Sequence, residues 1–66
     1  MEQKFVFGVL VRDTVSESIV ELFDTNLIDE ACAFALGLFR SIQKSNLNVV
    51  VYQYSDGKDI VTFKRS

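Results

Sequence analysis

Residues 27–44 read Leu-Ile-Asp-Glu-Ala-Cys-Ala-Phe-Ala-Leu-Gly-Leu-Phe-Arg-Ser-Ile-Gln-Lys. On a wheel of 3.6 residues per turn, Leu27, Ile28, Ala31, Cys32, Phe34, Ala35, Leu38, Phe39 and Ile42 fall within an arc of about 160°. Asp29, Glu30, Arg40, Ser41, Gln43 and Lys44 fall outside it. The stretch is one amphipathic helix. Asp29 and Glu30 in its first turn and Arg40 and Lys44 near its last both complement the helix dipole. Asn26 is the expected N-cap, accepting the free N–H of Asp29, with Thr25 as competitor. Past the far end, Asn46 is expected in the left-handed conformation, with Leu47 folding back on Ile42. Ala33 and Gly37 lie four apart on the outer side. An interior helical glycine costs about 1 kcal/mol relative to alanine. The plain reading is a glycine on a solvated face; the sharper one is a shallow groove where another backbone approaches.

Working outward, every other apolar stretch reads as strand. Residues 4–12 contain Phe5-Val6-Phe7-Gly8-Val9-Leu10-Val11, apolar on both faces, which marks a central strand. At a sheet edge such a segment would be an aggregation template. Residues 13–17 form a turn. Residues 18–24, Ser-Ile-Val-Glu-Leu-Phe-Asp, are expected as a strand hairpin-paired to the first, with Glu21 suiting an edge. The rival for residues 15–24 is a short helix, because Thr14 and Glu17 make a capping box. After the helix, residues 47–54 are rich in β-branched and aromatic side chains. Asp56-Gly57 is the strongest hairpin signal in the chain and fits a two-residue turn. Residues 59–65 return as the last strand.

The expected fold is therefore α+β, ββαββ, a single domain over residues 1–66. Strand directions give a four-stranded antiparallel sheet of order 2-1-3-4 with one helix packed on one face. The two most apolar strands fall in the centre.

A two-residue turn at Asp56-Gly57 would set Val50 opposite Phe63, Tyr52 opposite Val61 and Tyr54 opposite Asp59 on one face. That face, with Phe5, Phe7, Val9, Val11, Val20 and Leu22, is expected under the helix. The other face would then present Val6, Leu10, Ile19, Phe23, Val49, Val51 and Ile60, rimmed by Arg12, Glu21, Gln53, Thr62 and Lys64. One helix covers only one face, and a contiguous exposed apolar patch marks an interaction site. The expectation is a homodimer packed through those seven residues, with Val51 and Leu10 at the centre, or a different protein partner on the same face. If the faces are inverted, Tyr52, Tyr54 and Phe63 become the open side, with Arg12 or Arg65 nearby.

Composition limits the chemistry. The chain has 66 residues, 48% of them hydrophobic, and no proline. A chain this short buries only about 60% of its unfolded surface and needs a well-packed core or a partner. There is no histidine and one cysteine, Cys32, so imidazole catalysis, an activated thiol pair and a zinc site are all excluded. Cys32 at the edge of the helix stripe reads as a small core residue suited to a reducing compartment. Gly8, Gly37 and Gly57 are isolated and make no phosphate-cradling loop. Asp56 and Asp59 read as turn chemistry, and Asp13, Glu17 and Asp24 as solubilising charges. No enzyme activity, cofactor or metal is expected.

The first apolar run is too short for a signal peptide, and no run approaches the length of a membrane span, so a cytoplasmic location without membrane contact is expected. Net charge is −2, with seven acids and two bases in residues 1–30 but two acids and five bases in residues 31–66. The balance disfavours general nucleic-acid binding. One alternative survives in outline: Tyr52 and Tyr54 stacking single-stranded bases, with Arg12, Lys64 and Arg65 on the phosphates. The expected function is that of a small regulatory protein that acts by occupying another protein.

Overall fold

The computed structural model describes residues 5–64. Four strands and one helix run in the order β1 (Phe7–Asp13), β2 (Ile19–Thr25), α1 (Ile28–Ser41), β3 (Leu47–Gln53) and β4 (Lys58–Phe63). All neighbouring strands are antiparallel, and the sheet order is β2-β1-β3-β4. The ββαββ expectation holds, with the helix across one face. Residues 19–25 are strand, not the rival short helix. The Thr14 hydroxyl, free of any capping box, instead donates to the Asn46 carbonyl at 3.1 Å.

The helix is shorter than its apolar stripe. Thr25 anchors its start: the hydroxyl donates to Glu30 Oε1 at 2.6 Å and accepts the Leu27 N–H at 3.2 Å. Asn26 is not the cap. Its Oδ1 accepts the Val6 N–H at 3.0 Å and ties the helix entry to the approach to β1. At the other end Ile42 closes the helix with an N–H bond to the Leu38 carbonyl at 3.1 Å. Asn46 does not take the left-handed conformation; among the described non-glycine residues Glu17 alone does, at φ 64°. The Asn46 side chain donates to Asp13 Oδ1 at 3.1 Å, and its carbonyl accepts the Thr14 N–H at 2.9 Å. The α1–β3 loop is thereby pinned to the β1–β2 turn.

The stripe of α1 has two alanines at its centre. Ala31 and Ala35 are fully buried against Val9, Val49 and Val51. At the centre of the interface the short side chains of these alanines meet three valines. Phe7, Val11, Phe23, Val61, Phe63, Leu38, Phe39 and Ile42 close the rim. Phe23 stacks on Phe34 at 4.3 Å between ring centroids.

Here the expected faces are corrected. β1 presents Phe7, Val9 and Val11 to the helix as anticipated, but β3 presents Val49 and Val51, not Val50, Tyr52 and Tyr54. The register explains why. The β3–β4 connection is not a two-residue turn: Gln53 pairs with Lys58, and Gly57 (φ 67°) donates to the Gln53 carbonyl at 2.9 Å. A bulge then makes Ile60 the extra residue of β4, so that Val51 faces Val61 and Val49 faces Phe63. A one-residue slip reverses every side chain of a strand. A second bulge, between Val9 and Leu10, makes Leu22 the extra residue of β2 and turns Phe23 into the core. The outer side of α1 follows the plain reading: nothing lies within 4 Å of the position a Gly37 Cβ would take, and Ala33 is exposed.

Candidate interaction surface

The sheet face away from α1 is built in rows that the register fixes. One row runs Asp24, Gly8, Tyr52, Asp59; the next runs Glu21, Leu10, Val50, Thr62. Val50 is fully buried and Leu10 is 8% exposed although no helix covers them. This face therefore has an apolar floor under a polar roof.

Tyr52 is part of that roof. Its ring extends from β3 over Gly8 on β1, and its hydroxyl donates to Glu21 Oε1 on β2 at 2.8 Å. A Cβ on Gly8 would stand 2.7 Å from Tyr52 Cζ and Oη, so only glycine leaves room for the ring. Tyr54 meets Tyr52 edge-on, with ring centroids 4.9 Å apart at 74°. Its hydroxyl reaches Glu21 Oε1 at 3.3 Å and also donates to Asp24 Oδ1. On the same face Arg12 of β1 crosses β3 to pair with Asp59 of β4 at 3.6 Å.

Both phenols are held neutral. Partial burial pushes the Tyr52 hydroxyl above its usual range, and the Glu21 carboxylate beside it adds to the shift. Tyr54 is pushed further, first by burial and then by its bond to Asp24. A buried hydroxyl that donates to an anion resists ionisation twice, through desolvation and through charge. Neither tyrosine is a phenolate at neutral pH. The arrangement places two neutral, hydrogen-bonded phenol rings beside two carboxylates.

The residues expected on an open apolar face are dispersed. Val49 and Val51 are fully buried beneath α1, and Phe23 is half-buried there, so none of the three is available to a partner. Leu10 lies on the open face but under the polar roof. Val6, Ile19 and Ile60 are exposed. Of the alternative set, Tyr52 and Tyr54 come together on the open face and Arg12 shares that face, as the inverted reading anticipated. Phe63 does not join them: it packs against Phe39 under the helix. Lys64 is exposed just beyond β4, and Arg65 lies outside the described residues. The sequence reading missed Gly8 and Asp24 as parts of this surface. A glycine inside an otherwise bulky strand is the signal that could have found it, because it marks a close approach by another group.

Among the described residues no group of three His, Cys, Asp or Glu side chains is placed to hold a metal ion. Cys32 is a half-buried free thiol. No helix of the described residues is long and apolar enough to cross a membrane. Comparison with protein-family models, with curated proteins and with solved structures finds no match.

Proposed function

We propose that this chain is a small non-enzymatic regulatory protein that acts by occupying a protein partner, and that the open sheet face is the occupied surface. The observation that carries the reading is the anchored tyrosine pair. Tyr52 and Tyr54 have hydroxyls fixed on Glu21 and Asp24, so their rings lose little freedom on binding. Tyrosine is enriched among the residues that carry binding energy, because it supplies broad contact area from few rotatable bonds. The carboxylates beside the rings suit a partner that brings arginine or lysine.

Single-stranded nucleic acid is the second reading, favoured by Tyr52, Tyr54 and Arg12 sharing one face. It is weaker because both phenols are bound to carboxylates, which repel phosphate, and Arg12 is already paired with Asp59.

The test is capture from cells that make the protein, with the wild type, Tyr54→Lys and Ile60→Lys immobilised side by side. A protein retained by the wild type and Ile60→Lys but lost with Tyr54→Lys supports the reading. Identical retention by all three counts against it. A salt-sensitive shift of a fluorescent oligonucleotide on the wild type would move the assignment to the second reading.

A further inference from the structure

We infer that a second copy of this chain docks along the free edge of β2, forming a two-fold dimer of β2 against β2. This goes beyond the reading above and uses a different surface.

Strand β2 lies at one end of the sheet and pairs only with β1 among the described strands. Its seven residues span about 23 Å. An unpaired edge is a template for another strand, and proteins usually guard it with charge. The other edge, β4, carries Lys58 and Asp59, the latter paired with Arg12 across the sheet, and both edges are bulged, β4 at Ile60 and β2 at Leu22. Strand β2 carries two charged residues, Glu21 and Asp24, and both are drawn inward over the sheet. Tyr52 on β3 and Tyr54 just beyond it hold them there. What remains along the edge is apolar: Ile19 and Val20 are each 55% exposed and Leu22 is 47% exposed. Phe34 of α1, stacked on Phe23 of β2, continues the apolar strip up the flank.

A two-fold operation sets this uncharged strip against itself, and the contact closes on a pair. A β2–β4 contact would instead be head-to-tail and open-ended, and would set the apolar side chains of β2 beside Lys58 and Asp59. A stable dimer of ordinary size buries about 800 Å² on each partner, about a sixth of the 4631 Å² the chain exposes. Among the described residues the seven fully or nearly buried apolar side chains are mostly valine and alanine, and a second copy adds the larger side chains of the β2 flank to the buried set.

The experiment is sedimentation equilibrium of the full chain, with circular dichroism to confirm folding. The wild type is expected as a dimer. Val20→Lys, at a half-exposed position the monomer tolerates, is expected to be a folded monomer. Ile60→Lys, on the opposite edge, is expected to remain dimeric. The double variant Tyr52→Phe, Tyr54→Phe frees Glu21 and Asp24 to repel across the dyad and is expected to weaken the dimer by about tenfold or more. Slow amide exchange at β2, lost in Val20→Lys, provides a second readout that does not depend on mass. A wild type that is monomeric at every concentration overturns the inference, as does a dimer broken by Ile60→Lys and untouched by Val20→Lys. Neither result bears on partner capture through the tyrosine face, so the two claims fail separately.

Discussion

Tyr52 and Gly8 face each other across the β1–β3 ladder, and the tyrosine ring occupies the space that a side chain on residue 8 would need. The contact lets a β3 residue reach a β2 carboxylate over an intervening strand. Replacing Gly8 with alanine forces the ring aside and breaks the hydroxyl bond to Glu21. Gly8→Ala is expected to lose about 1 kcal/mol of stability by urea denaturation, although alanine is ordinarily the better strand residue. Gly8→Ala in a Tyr52→Phe background is expected to be less damaging, because that bond is already gone.

The two tyrosines are the only ones in the chain, and there is no tryptophan. Ultraviolet phenolate absorbance therefore reports this face alone. In the folded protein Tyr52 is expected to ionise above the usual value of 10.0, and Tyr54 well above it. In urea they are expected to titrate near it. Because the folded phenols hold their protons longer than the unfolded ones, their contribution to stability is complete below pH 10. It declines as pH rises from there through their folded values. A melting series from neutral to alkaline pH should fall in that window, and Tyr54→Phe should flatten the decline.

At the acid end the corresponding group is Asp13. Its Oδ1 accepts from the Asn46 side chain and from the Val15 and Ser16 N–H groups, which hold its carboxyl below the usual 3.8. The folded state thus binds this proton less readily than the unfolded chain. Its stabilising effect is complete above pH 3.8 and is lost as pH falls through the lower folded value. Asp13→Ala should melt lower than wild type at neutral pH, and the gap should close in strong acid. Asp13→Asn, which keeps the acceptor oxygen, should lie between them.

Two neighbouring positions of α1 should respond oppositely to added bulk. Gly37→Ala meets open space and should raise stability by about 0.5–1 kcal/mol. Ala35→Leu forces a branched side chain between the helix and Val9, Val49 and Val51, and should lower it by about 1–3 kcal/mol. Thermal melts of the two variants measure the contrast.

The strand order was legible because Phe5-Val6-Phe7-Gly8-Val9-Leu10-Val11 and Val49-Val50-Val51 are apolar on both sides and belong in the centre of a sheet. The helix was legible from its stripe. The same lack of alternation hid the faces: three consecutive valines at 49–51 specify no register. Two bulges, at Leu22 and Ile60, then shifted the strands that might have fixed it. The deciding constraint was in the helix. Ala31 and Ala35 at the centre of the stripe pack on Val9, Val49 and Val51, and a phenol buried in that apolar site would need a hydrogen-bond partner there. Tyr52 and Tyr54 must therefore face away. The expectation of a broad apolar open face failed for that reason, and a polar-roofed face with Glu21 and Asp24 stands in its place.

The most direct measurement of the central claim is chemical-shift mapping. The isotope-labelled chain would be titrated with the protein that the wild type retains and Tyr54→Lys loses. The account predicts the largest changes at Tyr52, Tyr54, Glu21, Asp24 and Arg12, with the outer face of α1 unmoved. Changes confined to the α1 surface around Ala33, Gly37 and Arg40, with both tyrosine rings undisturbed, would contradict it.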